Sequence, residues 1–517
     1  MSKLQSPQMK HIPLKERIIS MLRPSKFARA AVAELKGYEK AVSREDLHKN
    51  KTGELINITS SKFNSHGHKV EEEHLDVDPN ISSLLGWVPY VPEHTSVVVY
   101  HFFSVNYALR KQALVRLTLV NKLSIVKSIN FWLPPFLTHE FDLVEYFKGL
   151  TGNSIFIELF HPEIPKNHGG HDGHLRAWGK YYSDTGEFIS TVHTAPLVKN
   201  NQYSGKSKNA RVYFPKINEE SQRLLISRSN LEEISDSNSN GFWASKEYHY
   251  GFSVIKDSKG NPRSVWHHAP SHGLPQSRSN KSFKTTQGFW VPPLKDIDPV
   301  LAIDSTETLL IDHQEITIYL IIGNSVVKSR VLNVDGNFSS SISEIFGGNV
   351  AGPYTIMCDF WCNNFGYLHV HYDTNNTSGD QVHAHVCSWS VNNTKIVPIP
   401  VKSQGRTRKF LHIHVSQRES NVDYLIIHTN PIEGIQELRA KIRLITDFGV
   451  EELLNVNLDS SQPINVYNLH KLFPKLSLIA ERNAIVQIES VDNNFASSLL
   501  HCDLLSGAIA VDHLTGG

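Results

Sequence analysis

A chain of 517 residues, 40% hydrophobic and 20% charged, is too long for one ordinary core and apolar enough to fill several; at roughly 150 residues per domain, about three or four are expected. Its 52 Lys and Arg against 51 Asp and Glu leave a formal net charge of +1, so no global field draws the protein to nucleic acid or to an anionic membrane. Four cysteines (Cys358, Cys362, Cys387, Cys502) are too few and too unevenly spaced for a disulfide framework and read as buried thiols.

Residues 1–50 carry the clearest helical pattern. Ile18, Ile19, Leu22, Phe27, Ala30, Ala31, Val32 and Leu35 make an apolar stripe on a 3.6-residue period, with Pro24 dividing two helices and Ser25 as a cap. Lys10, Lys15, Arg17, Arg23, Lys26 and Arg29 make the segment basic, but Glu16 and Glu34 interrupt the positive face, which favours a solvated helix over a membrane-surface one. The N-terminus lacks a signal peptide's apolar core, and no run approaches the ~18 apolar residues of a transmembrane helix. The expectation is a cytoplasmic protein with no transmembrane segment. Residues 51–85 are polar, short of aromatics, and read as a linker or loop.

From residue 86 the texture changes to strands. Thr95–Phe103, Gln112–Val120 and Ser124–Leu133 are rich in β-branched and aromatic residues, with short polar turns between them. That spacing favours an antiparallel sandwich over alternating βα units. Several motifs recur along the chain. Gly86–His101 and Gly288–His313 each run glycine, aromatic, Val-Pro, spacer, then a Thr-led apolar strand. Ala210–Asn230 resembles Lys409–Asn430. Phe141–Phe160 and Ser341–Phe360 share Glu, one residue, Phe, a glycine turn and a strand, with a looser third version ending at Ser490. A fourth pattern is a strand, a tight polar turn and a second strand ending in Val-His or a close variant. It occurs at Gly173–Pro196, Glu247–Pro270, Gly366–Val386 and, more weakly, Ser497–Leu514.

These repeats predict a mainly β protein of tandem antiparallel β-sandwich units, Ig-like or jelly-roll-like, after a short N-terminal helical segment. The units divide as a first half at 86–285 (86–200 and 201–285), then 286–405 and 406–517. The 201–285 unit is short and lacks the Glu-x-Phe signature, so it is either a half-domain or part of one larger sandwich with its predecessor. His272–Gly288 is the best inter-domain linker by composition, and Ser235–Gly241 reads as a loop.

Chemistry concentrates in Phe160–Tyr181, where His161, His168, His171, Asp172 and His174 lie among glycines that let a loop converge several side chains. Histidine and carboxylate are common ligands of zinc and iron, and His193 on the next strand could add another. The competing readings are a polar ligand site without metal and a structural loop. A second candidate is the pair of His-x-His strands, His369 with His371 and His383 with His385. Residues i and i+2 of a strand share a face, so four imidazoles would meet across one hairpin. The bland reading is histidine on half-exposed strands. Arg176, Trp178 and Trp266 are candidate ligand-binding residues, since tryptophan stacks on sugar rings, although tryptophan in a sandwich is commonly core. The repeated strand-end histidines favour an architectural role, such as bonding a backbone carbonyl, because a catalytic group rarely recurs in several copies of one chain.

The sequence holds no Gly-x-Ser-x-Gly elbow, no P-loop, no strand-coupled GxGxxG and no CxxC pair. The expectation is therefore a non-catalytic repeat protein that presents His/Trp-rich loops and edges to a glycan or protein partner. The alternative is a metal-dependent enzyme centred on the 161–174 loop.

Overall fold

The computed structural model of the chain describes Ile56–Asn57 and, between residues 84 and 513, the elements given below with many of their connections. Residues 1–55, 58–83, 102–111, 161–176, 197–209, 215–221, 269–282, 304–313, 373–380, 401–406, 514–517 and other connecting stretches lie outside the described residues. The N-terminal helical pattern falls outside them. Within the stretch read as a linker, β1 (Ile56–Asn57) pairs antiparallel with a later strand.

The protein is mainly β, in several antiparallel sheets. The first set of strands is β2 (Leu84–Pro89), β3 (Thr95–Tyr100), β4 (Ala113–Asn121), β5 (Ser124–Leu133), β6 (Thr138–Asp142), helix α1 (Leu143–Phe147), β7 (Ser154–Phe160), β8 (Ala177–Tyr182), β9 (Phe188–His193) and β10 (Ala195–Pro196). They form one sheet in the order β1-β5-β4-β7-β2-β10 and another in the order β6-β3-β8-β9. Alternation explains the core between them. Val97 and Val99 of β3 meet Val115, Leu117 and Leu119 of β4 and Ile155, Ile157 and Leu159 of β7 in one buried apolar cluster.

The same order returns twice. The third set comprises β17 (Phe283–Val291), β18 (Val300–Ile303), β19 (Gln314–Ile322), β20 (Ser325–Val334), β21 (Phe338–Ser341), α2 (Ile342–Phe346), β22 (Tyr354–Cys362), β23 (His369–His371) and β24 (Gln381–His383), followed by β25 (His385–Val386), β26 (Trp389–Asn392) and β27 (Lys395–Pro398). Its sheets run β25-β17-β22-β19-β20-β27-β26 and β21-β18-β23-β24. The fourth set comprises β28 (Thr407–His414), β29 (Asn421–His428), β30 (Leu438–Thr446), β31 (Gly449–Leu458), β32 (Ile464–Asn468), α3 (Leu469–Leu472), β33 (Asn483–Ser490), β34 (Ala496–Asp503) and β35 (Ile509–His513), in sheets β28-β33-β30-β31 and β32-β29-β34-β35. Even the irregularities repeat. A bulge breaks the register at Leu119/Val120, at Leu320/Ile321 and at Leu444/Ile445, the same point of the third-to-fourth strand hairpin each time.

The second set is a shortened copy. It holds β11 (Ala210–Phe214), β12 (Gln222–Ser227), β13 (Glu233–Ser235), β14 (Gly241–Ser245), β15 (Gly251–Lys256) and β16 (Pro262–His268). Its β13-β12-β15-β16 sheet matches β6-β3-β8-β9, and its β11-β14 pair matches β2-β7. Among the described residues the third and fourth strands and the helix have no counterpart here. Phe252, Val254 and Val265 of this set are buried in the core cluster of the first.

The Glu-x-Phe signature is the helix. Helices of four or five residues have too few internal bonds to stand alone. Each is capped, with Asp142 accepting from the Val144 amide, Ser341 closing a capping box with Glu344, and Asn468 accepting from the Lys471 amide. Each also buries an apolar pair one turn apart: Leu143 with Phe147, Ile342 with Phe346, and Leu469 with Phe473. Gly347 ends α2 at φ 73, the left-handed conformation a side chain disfavours.

Replacing Phe346 by alanine is expected to lower unfolding free energy by about 3–5 kcal/mol, the usual cost of emptying a buried phenylalanine site. Leu505→Ala, at a side chain 86% exposed, should leave a urea denaturation curve unchanged. Equal midpoints for the two variants would mean that the helix does not anchor its set.

Candidate functional site

The four Val-His hairpins are β8–β9, β15–β16, β23–β24 and β34–β35, and their registers coincide. The aligned histidine pairs with Trp178 in the first, Phe252 in the second, His369 in the third and Ser498 in the fourth: pairs Trp178–His193, Phe252–His267, His369–His383 and Ser498–His513. The hairpins meet one another around a closed circuit. Strand β9 lies against β16 and β35, and β24 lies against β35. The ring of Trp266, on β16, meets His371 of β23 edge-on at 4.9 Å. Successive sets therefore touch, and the last touches the first.

The best-ordered chemistry sits where the first set meets the fourth. Asp512, on β35, occupies the position that Val192 holds in the first hairpin, because the fourth copy reads Val-Asp-His. One of its oxygens, Oδ1, accepts from His193 Nδ1 at 2.7 Å, and the other, Oδ2, accepts from Trp178 Nε1 at 2.9 Å. This histidine thus bonds a carboxylate of another hairpin. Beside it, Lys180 donates to Glu140 Oε2 at 3.0 Å and to Asn483 Oδ1 at 2.9 Å. Asn483 Nδ2 donates to the same Glu140 oxygen at 2.6 Å, and Asn483 Oδ1 also accepts from His412 Nε2 at 2.8 Å. Ser96 and Tyr182 hydroxyls fill the other oxygen of Glu140, each at 2.6 Å.

The charges follow from this geometry. Burial alone would raise the Glu140 carboxyl. The Lys180 ammonium and the bonds from Ser96, Tyr182 and Asn483 outweigh it and hold the group well below the usual carboxylate range. Burial, with Lys180 adding to it, pushes His412 down to about 4, so its ring is neutral at pH 7 and donates from Nε2. Further along, Phe188 stacks on His414 at 4.2 Å, and Asp423 accepts from His501 at 2.8 Å and His470 at 3.0 Å. Burial would raise Asp423, but the His501 charge and the bonds from His470 and His501 lower it.

This arrangement holds two sets of strands together. Lys180, Trp178, His412 and Asp512 are buried between the sets, so a substrate would have to part them to reach the polar atoms. Trp178 is wholly buried and Trp266 almost so, which gives neither an open ring face for a sugar. Of the other candidates, His161, His168, His171, Asp172, His174 and Arg176 lie outside the described residues. His369 pairs with His383, as the His-x-His reading requires, but His371 pairs with Gln381. His385 belongs to β25, which adds to the other sheet opposite Gly288. The backbone thus changes sheets between His383 and His385, and the side chains of these two histidines lie outside the described residues. Burial pushes His369 down to about 4. Among the described residues no group of three or more His, Cys, Asp or Glu is placed to hold a metal ion. Cys358 and Cys502 are buried free thiols. No helix among the described residues is long and apolar enough to cross a membrane.

The aligned motifs also contain a repeated acid. Glu158, Asp359 and Glu489 occupy one register position of β7, β22 and β33, and all three are buried. Their partners differ: Arg116 at 3.5 Å, the Thr286 hydroxyl at 2.7 Å and Arg443 at 3.8 Å. Compared with known proteins, the chain matches no family model and no curated protein.

Lys180→Met is expected to destabilise the protein by about 3–5 kcal/mol, since it strands a buried carboxylate. Adding Glu140→Gln should recover part of that loss, measured as a double-mutant cycle in urea. Acid should also weaken the contact. His412 titrates near 6.5 when unfolded and near 4 when folded. In that window the unfolded chain binds the extra proton, so the stabilisation present above pH 6.5 is lost as pH falls through 4. The thermal midpoint should fall over that range, and less steeply in His412→Gln.

Proposed function

We propose that the chain is a non-catalytic tandem β-sandwich protein, in which four successive units form a scaffold that offers sheet edges to a protein partner. The observation behind this reading is where the aromatic and imidazole groups lie. His193, Trp178, His412, Trp266 and His371 are all buried at contacts between sets, so the residues best suited to chemistry serve construction. The exposed apolar side chains are mainly aliphatic, and Ile322, Val327, Val331, Val397 and Ile399 fall on or beside β20 and β27. Aliphatic edges suit a protein strand better than a sugar ring.

The glycan form of the reading rests on Trp361, the one tryptophan exposed among those whose burial is described. A glycan array run with the wild-type chain and with Trp361→Ala tests it. No binding that depends on Trp361 is expected; binding lost in the variant would move the partner class to glycans. The metal-enzyme alternative predicts stoichiometric metal in protein purified without chelator, lost in His171→Ala with His174→Ala. That result would displace the scaffold reading.

A further inference from the structure

Strand β20 is the fourth strand of its set, and its outer side is open for most of its length. It pairs with β27 only through Ser325 and Lys395, and beyond that point no strand lies on that side among the described residues. Val327 and Val331 are 48% and 57% exposed, and Lys328 and Arg330 are exposed between them. An open, partly aliphatic edge carries unpaired backbone groups that can add a further strand. The corresponding strand of the first set, β5, does have a neighbour there, the antiparallel β1. The corresponding strand of the fourth set, β31, ends its sheet and has none among the described residues.

The two open edges carry opposite charge. Lys328 and Arg330 lie on one face of β20, two residues apart. Glu452 occupies on β31 the place that Lys328 holds on β20, opposite Leu444 and Leu320 respectively. Glu451 adds a second carboxylate to that strand. Glu452 is half-buried, and its Oε2 is buried without a hydrogen-bond partner in the single chain.

We propose that β20 of one copy pairs antiparallel with β31 of a second copy, joining chains head to tail. This rests on the scaffold reading and names its partner. A register that sets Arg330 opposite Glu452 puts Lys328 diagonally across from the same carboxylate, within reach of a long side chain. Pairing β20 with β20 would set cation against cation, and β31 with β31 anion against anion, so charge selects the unlike edges. Such a contact is heterologous and does not stop at a dimer unless the rotation closes a ring.

Sedimentation of the full chain over a range of concentration tests this, using Lys328→Glu with Arg330→Glu as one variant and Glu451→Lys with Glu452→Lys as another. The wild type should show mass rising with concentration, and high salt should weaken it. Each variant alone should associate at least tenfold more weakly. Mixing the two variants should restore association, because each then meets an unlike edge, and a chain carrying all four changes should associate with itself again. Restoration also shows that the variants fold. A wild type that stays monomeric throughout overturns the pairing while leaving the scaffold reading to the glycan and metal tests. Association unaffected by either variant, or lost in one and not recovered on mixing, overturns it as well.

Discussion

A lysine removed from water must find its charge answered, and Lys180 finds partners in two side chains. Glu140 supplies the counter-charge, and Asn483 turns one amide into both an acceptor for the lysine and a donor to the carboxylate. Glu140 and Lys180 come from the first set of strands and Asn483 from the fourth. Neither set satisfies the lysine alone. The outer face of the β6-β3-β8-β9 sheet, which also carries Val98, Tyr100 and Trp178, can therefore be buried only against the fourth set. Coulomb attraction in a buried seam does not guarantee net stability, since desolvation opposes it. It does penalise any other docking of these two surfaces.

The same economy recurs around the circuit. The outer face of the β32-β29-β34-β35 sheet gives Ile426, Leu500, Cys502, Ile509 and Val511 to the third set's core cluster, and Trp290 meets Tyr424 at 4.9 Å. The third set reaches the second through His371 and Trp266, and the second reaches the first through Phe252 and Trp87 at 4.9 Å. One kind of sheet in each set is covered by a neighbouring set. The other kind carries β20 and β31, whose outer sides are open for most or all of their length among the described residues.

The repeats were legible because each rests on local physics. A capped helix needs its cap, its buried pair and its glycine within a few residues, and a tight hairpin needs its polar turn. Phe141–Phe160 and Ser341–Phe360 display the helix to the eye, and Gly173–Pro196 and Glu247–Pro270 display the hairpin. The seam was not legible in that way, since Trp178 and Asp512 stand 334 residues apart. One signal existed: the fourth hairpin reads Val-Asp-His where the others place an uncharged residue before the histidine. A charge at a position otherwise filled by Val192, Trp266 or Val382 marks a special partner. Alternation also places residues on one face only while a strand stays in one sheet, and the backbone at His385 joins another.

Native-state hydrogen exchange on the full chain, comparing wild type with Asp512→Ala, tests the seam most directly. Removing Asp512 should unlock both partners, so the amides of β8 and β9 should lose protection together with those of β35, while β19 and β22 keep theirs. Protection lost in β35 alone, with β8 and β9 unchanged, would contradict the dependence of the first set on the fourth.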